Sequence, residues 1–308
     1  MKTVPLSQAQ DEGSVDKAVP ASRRYDRRSQ TAEIWRRFRQ NKGAMVGLVI
    51  VIALALCAIF ADVLVDYKKD VVGIHIAQKL IKPCLKHPCG TDDLGRDILS
   101  RLLYGTRFSL SIGLVAVLIG MVIGTTLGAI AGYFCGIVED IIMRLNDILS
   151  SVPGILMGIV IVSALGASTF NLMLAIGITS IPQFVRITRA AVLTVRHQDY
   201  VESCRATGFS LARIITFHIL PNCLSPIIVQ MTLRIASAII AASSLSFLGL
   251  GVPPPAPEWG AMLSIGRQYA RTYPHLTLFP GLAIMITVLA FNLLGDGLRD
   301  SLDPKLRR

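Results

Sequence analysis

One arginine, Arg234, stands alone in an otherwise apolar stretch from Ile227 to Val252. A charge at membrane depth is costly enough to mark a functional position by default. Gln230 lies four residues before it and Ser237 three after, so on a helix the three share a face. Such a face fits the wall of a water-filled path. The alternative is an arginine that snorkels to nearby headgroups, and both readings stand. A second group, Cys84 and Cys89, brackets Leu85-Lys86-His87-Pro88. On an oxidising side these two could close a small disulfide ring, whose geometry the sequence leaves open. With His87 they make a weak, irregularly spaced ligand set, and no metal site is assigned. His75, His197, His218 and His275 form no cluster in sequence, and no Ser/His/Asp set or paired carboxylate suggests catalysis. No Gly-x4-Gly-Lys-[Ser/Thr] phosphate loop occurs. Nucleotide is therefore expected on another polypeptide, and no cofactor on this one.

The composition says what holds these residues. Only 17% of the 308 residues are charged and the mean hydropathy is +0.57, against about 25% charged in soluble chains. A disordered chain is excluded by the same figures. Uncharged runs cover Gly43–Ala61, Phe108–Val138, Ile148–Val185, Ile235–Pro257 and Thr272–Gly295. A helix crosses the hydrocarbon core with about 20 apolar residues, and in hydrocarbon the backbone must bond to itself. The run of 38 residues from Ile148 is too long for one span and divides at Gly166-Ala167-Ser168. The expectation is an all-α membrane protein with six spans and no barrel alternation. Gly120, Gly124, Gly128 and Gly132 share one helix face and fit close packing within the bundle. Pro153, Pro182 and Pro280 fall within or at the ends of spans, where each can bend a helix.

The net charge of +11 raises nucleic acid or a membrane surface as partner. Its placement favours lipid. Arg23, Arg24, Arg27, Arg28, Arg36, Arg37, Arg39 and Lys42 precede the first span against only Asp26 and Glu33, while residues 65–106 are nearly balanced. Basic flanks stay in the cytoplasm, so both termini are expected there. No cleavable leader is expected, since the first apolar run follows 42 mostly polar residues. The expected layout is a basic arm (1–42), a first span (43–64), an external loop (65–106), a five-helix core (107–295) and a tail (296–308). Trp259, in the external segment 253–274, reads first as an interfacial anchor. The other reading is an external gate.

Between the fourth and fifth spans, residues 199–222 have a helical composition broken by Gly208. A glycine there stops a helix, Ser210 can cap a second one, and Leu220-Pro221-Asn222 is expected to end it. The product is an amphipathic cytoplasmic hairpin that packs on the bundle or presents a face to a partner.

Glu202, Gly208, Leu220 and Pro221, at their spacings, resemble the EAA loop of ABC importer permeases. Ser203, Cys204 and His218 depart from the general pattern. Gly90-Thr91-Asp92-Asp93-Leu94-Gly95-Arg96-Asp97, Leu245-Ser246-Phe247-Leu248-Gly249 with Pro257-Glu258-Trp259-Gly260, and Asn292-Leu293-Leu294-Gly295-Asp296 with Leu302-Asp303-Pro304 resemble the peptide branch of that family, in order. The likeness covers about residues 33–308 and is to C-type permeases of dipeptide, oligopeptide and glutathione importers. It implies a bacterial inner-membrane subunit that pairs with a homologous permease, two ATPases carrying ATP and Mg, and an external solute-binding protein. It further implies that Glu202, Gly208, Leu220 and Pro221 couple this chain to an ATPase. Peptide uptake is the expectation. Uptake of glutathione or a nickel complex is the alternative within the class, and a non-transporting membrane scaffold the alternative outside it.

Overall fold

The computed structural model describes residues 30–302. Of the residues singled out above, Arg23, Arg24, Asp26, Arg27, Arg28, Asp303 and Pro304 lie outside that range. Helix α1 (Gln30–Gln40) buries Phe38 and keeps Arg36 and Arg39 in solvent. The basic arm thus ends in an amphipathic helix. Asn41 then caps α2 (Lys42–Ile59), its side-chain oxygen accepting from the Ala44 amide. This replaces one of the orphan donors every helix start leaves. A single turn, α3 (Ala61–Leu64), closes the first span.

Helix α4 spans Ile98–Phe134, so it begins inside the segment expected to be loop. The physical reason is that its polar first turns are satisfied. Asp97 caps the Ser100 amide at 2.8 Å, and Arg101 donates to the Val71 carbonyl at 2.8 Å. Asp92 accepts from Arg96 Nε at 2.6 Å and lies 3.6 Å from Arg101 Nε, in a buried cluster. Charge counts alone place a boundary where charges start. Buried pairing moves it.

The next apolar segment is sharply broken. Helix α5 (Gly136–Ser151) and α6 (Gly154–Leu165) meet at 87° across Val152-Pro153. Pro153 has no amide to continue the ladder, so the bend expected of it is realised as a full break. The division at Gly166–Ser168 is also realised, since α7 (Thr169–Val195) starts there with Ser168 capping Asn171. Helix α7 runs through Pro182 and α12 (His275–Leu302) through Pro280. Among the described residues, five helices are long and apolar enough to cross a membrane singly, and the count reaches six if the bent pair is one span.

The core is built on α4 against α7. A Cβ on Gly120, Gly124, Gly128 or Gly132 would meet Ser180 at 2.7 Å, Phe184 at 2.6 Å, the Val185 carbonyl at 2.6 Å and Val192 at 2.9 Å in turn. The partners advance with the glycines, so the two helices run parallel with backbones nearly touching. Ile112, Val117, Leu172 and Phe184 are buried around this seam. Helix α10 (Leu224–Phe247) covers α4, and α12 lies between α10 and α2. Helix α1, the C-terminal end of α12 and the segment after α7 share one end of the bundle. Asn41 donates to Asp300 there at 3.3 Å. Residues 65–97 and helix α11 (Trp259–Gly266) close the opposite end.

Candidate functional site

The hairpin segment is helix α8 (Asp199–Ala206), a turn at Gly208, and α9 (Leu211–Arg213). Gly208 has φ +77° and nothing within 4 Å of where a Cβ would stand, so its backbone, not crowding, calls for glycine. The Phe209 amide reaches back to the Cys204 carbonyl at 3.1 Å, sealing the α8 terminus. Ser210 holds the cap position, but its side chain caps nothing. The second helix does not end at Leu220-Pro221-Asn222 as expected. It passes through a π turn (Ile214–Ile219) and a tight 3-10 turn (Leu220–Cys223) straight into α10. Pro221 is tolerated because it sits in the first positions of that new turn, where its missing amide breaks no bond. The hairpin is therefore joined to a membrane-crossing helix without a hinge loop.

Its two faces differ. Val201, Ile214 and Ile219 are wholly buried against the bundle. Arg205 stacks over Tyr133 at 5.0 Å and donates to its hydroxyl at 3.2 Å, fastening α8 to the end of α4. The other face presents Tyr200, Glu202, Phe209, Leu211 and Phe217 to solvent, with Phe217 73% exposed. Phe209 is held by His218, stacked at 5.7 Å, and by Arg213 at 4.8 Å. A rigid rim of apolar and acidic side chains suits a protein partner.

The second site is a cavity of about 370 Å³ at the break between α5 and α6. Arg186, Arg234, Thr179, Gln183, Ser150 and Ser237 supply its polar wall, with Ile155, Pro182 and Leu245 among the apolar residues. Arg234 donates to the Ser180 hydroxyl at 3.1 Å, while its Nε is buried with no hydrogen-bond partner. Its guanidinium points toward α7 inside the bundle. Ser237 shares this cavity. Gln230 does not: it lines a separate space of about 770 Å³ between α7, α10 and α12, beside Asn222 and Arg299. The single polar stripe is thus divided between two cavities. Arg186, from α7, brings a second guanidinium to the wall of the Arg234 cavity.

At the opposite end, Trp259 is 1% exposed, its indole donating to the Leu102 carbonyl at 3.1 Å. The interfacial-anchor reading is overturned, because the ring packs in protein with Ile98, Met262 and Leu276. Beside it Glu258 is fully buried and caps α11, accepting from Gly260 at 2.9 Å and Ala261 at 2.8 Å. Burial raises its carboxyl above the ordinary range, an effect the two amides partly oppose. Sequence reasoning passed over Glu258; its place just before a helix start was the available signal. Cys84 and Cys89 are both free thiols. Cys84 is exposed, whereas Cys89 turns into the Trp259 cluster, where burial and Asp97 raise its thiol. No bridge joins them. His87 Nδ1 instead meets Asp97 Oδ1 at 2.9 Å.

Comparison with known proteins is consistent along the chain. Residues 124–308 match the family described as binding-protein-dependent transport system inner membrane component, and residues 29–83 match the N-terminal TM domain of oligopeptide transport permease C. The chain is 45% identical over 282 residues to the dipeptide transport system permease protein DppC of Haemophilus influenzae, covering 90% of this chain and 95% of that one. It is 47% identical over 291 residues to the glutathione transport system permease protein GsiD of Escherichia coli, covering 94% and 95%. Among solved structures, the inward-facing MetNI methionine ABC transporter superposes with a TM-score of 0.54 at 17% identity, over 67% of this chain and 98% of that one.

Proposed function

The chain belongs to the family of binding-protein-dependent transport system inner membrane components, and from that premise we propose that it forms half of the translocation path for di- or oligopeptides in an ATP-driven importer. It is a non-enzymatic, membrane-spanning subunit of an ABC importer. In the proposed assembly a homologous permease supplies the other half of the path, two ATPases bind ATP and Mg, and an external binding protein delivers the peptide. Both termini face the cytoplasm, in keeping with Arg36 and Arg39 at that end of the bundle.

The observation that carries this reading is the hairpin. Its inner face is locked to the bundle, its outer face is open, and it continues directly into α10. A push on Glu202, Gly208 and the rim therefore reaches Leu220, Pro221 and the wall of the Arg234 cavity as a rigid-body motion. At the outer end, the segment around Trp259, whose buried ring wedges α11 against α4, serves as the external gate. Glutathione is the second reading, favoured by the 47% identity to a glutathione permease.

The test uses the reconstituted importer. Gly208→Trp places a bulky ring on the docking face and Glu202→Lys reverses its charge. Each is expected to abolish ATP-driven uptake while the binding protein still captures substrate by calorimetry. Normal uptake by both variants overturns the coupling assignment. Uptake of labelled dialanine against labelled glutathione decides between the two readings.

A further inference from the structure

We propose that the cavity at the α5–α6 break is a transit site for the carboxylate of the transported peptide, with Arg234 as its principal ligand. The inference rests on the importer reading and adds the chemistry of what the path holds. Three features converge on the cavity. Arg234 reaches it from α10, and its Nε is buried with a donor unused. A buried guanidinium donor without an acceptor is costly unless an acceptor arrives. The N-terminus of α6 opens at the same place: Val152, Gly154 and Ile155 line the cavity, and no side chain caps the helix. Free amides and the positive end of the helix dipole favour an anion there. No acidic residue lines the space.

The remaining charges around it are accounted for. Arg186, from α7, donates to the Ser150 hydroxyl at 2.7 Å and lies 3.5 Å from Asp147 Oδ1. Both partners belong to the last turns of α5, so this cation answers the negative end of that helix. Arg186 and Asp147 offset one another, which leaves Arg234 as the uncompensated charge. One net positive charge suits one carboxylate, and a guanidinium fork matches its two oxygens. Thr179, Gln183 and Ser237 provide hydroxyl and amide groups for the peptide backbone. Weak, partial binding is what a path needs, since a ligand must also leave.

The test uses the whole importer in phosphatidylcholine vesicles. Initial uptake of dialanine and of its C-terminal amide is measured with each at a concentration that saturates the binding protein. The wild type should move the acid faster than the amide. Arg234→Gln should slow the acid about tenfold or more, the worth of a charge-assisted bond, and leave the amide rate where it was. Arg234→Lys should restore part of the loss, because it keeps the charge without the fork. An unchanged acid rate in Arg234→Gln overturns the inference. So does an equal loss for acid and amide, which would make Arg234 a packing residue. Wild-type vesicles that move neither compound overturn the peptide reading, and this inference with it.

Discussion

At the residue scale, the polar groups that matter are those whose surroundings are not visible in their spacing. Arg234 was legible as an intramembrane charge because an apolar run isolates it. Its surroundings were not, since Ser180 meets it from a different helix, α7, which also carries Arg186 to the same cavity, and only tertiary packing brings them there. Glu258 makes the same point. Nothing in Pro257-Glu258-Trp259-Gly260 says that the carboxylate folds back on the next two amides, yet this contact starts α11. Replacing it by alanine removes the cap and should cost about 1 kcal/mol, read as a lower thermal midpoint of the purified subunit in detergent. The raised carboxyl adds a pH signature. An acid whose pKa rises on folding stabilises the fold below its unfolded value and loses that contribution as pH rises through the folded one. The gap between wild type and Glu258→Ala should therefore be wider at acid pH than at alkaline pH. A gap that widens with rising pH would show that the carboxyl enters the fold ionised.

At the element scale, periodicity did well and boundaries did less well. The glycine face on α4 and the division at Gly166–Ser168 follow from local chemistry that the sequence displays openly. The start of α4 at Ile98 and the continuity of the hairpin into α10 do not, because each depends on bonds made outside the segment. Likewise Cys84 and Cys89 have suitable types and spacing, but Ile98, Trp259 and Met262 draw Cys89 away into a buried cluster. The glycine seam yields a direct prediction. At Gly124 a methyl group would sit 2.6 Å from Phe184 Cβ and 2.7 Å from the Ile181 carbonyl, and neither helix can yield locally. Gly124→Ala should destabilise the subunit by about 1–3 kcal/mol, the usual cost of overpacking. Gly281→Ala on α12, whose nearest neighbour is 4.0 Å away, should be neutral. Equal thermal midpoints for the two variants would mean that α4 and α7 pack more loosely than described.

At the scale of the whole molecule, the two ends of the bundle have opposite character, and that polarity is what an importer subunit requires. One end gathers α1 with its arginines, the open face of the hairpin and the end of α12. The other is capped by residues 65–97 and α11, tied together by the Asp92, Arg96 and Arg101 cluster and by Trp259. The shared transporter architecture covers 67% of the chain, and the N-terminal match at residues 29–83 takes in α1, α2 and part of the capping segment. Helix α2 is bound tightly to that core, since a Cβ on Gly47 would lie 2.7 Å from the Ala290 carbonyl of α12. Sidedness is then a single choice for the entire molecule: fixing one end fixes the other. In the proposed orientation, the basic flank before α2 puts the hairpin end in the cytoplasm. Two positions report it without touching the core, Leu85 in the capping segment and Thr207 at the hairpin turn, both exposed. In a variant with the six native cysteines replaced, Leu85→Cys should react with a membrane-impermeant maleimide once any outer barrier is opened and the inner membrane left sealed. Thr207→Cys should react only after the inner membrane is permeabilised. The reverse pattern would turn the molecule over, place the hairpin away from any cytoplasmic ATPase and defeat the coupling role assigned to it.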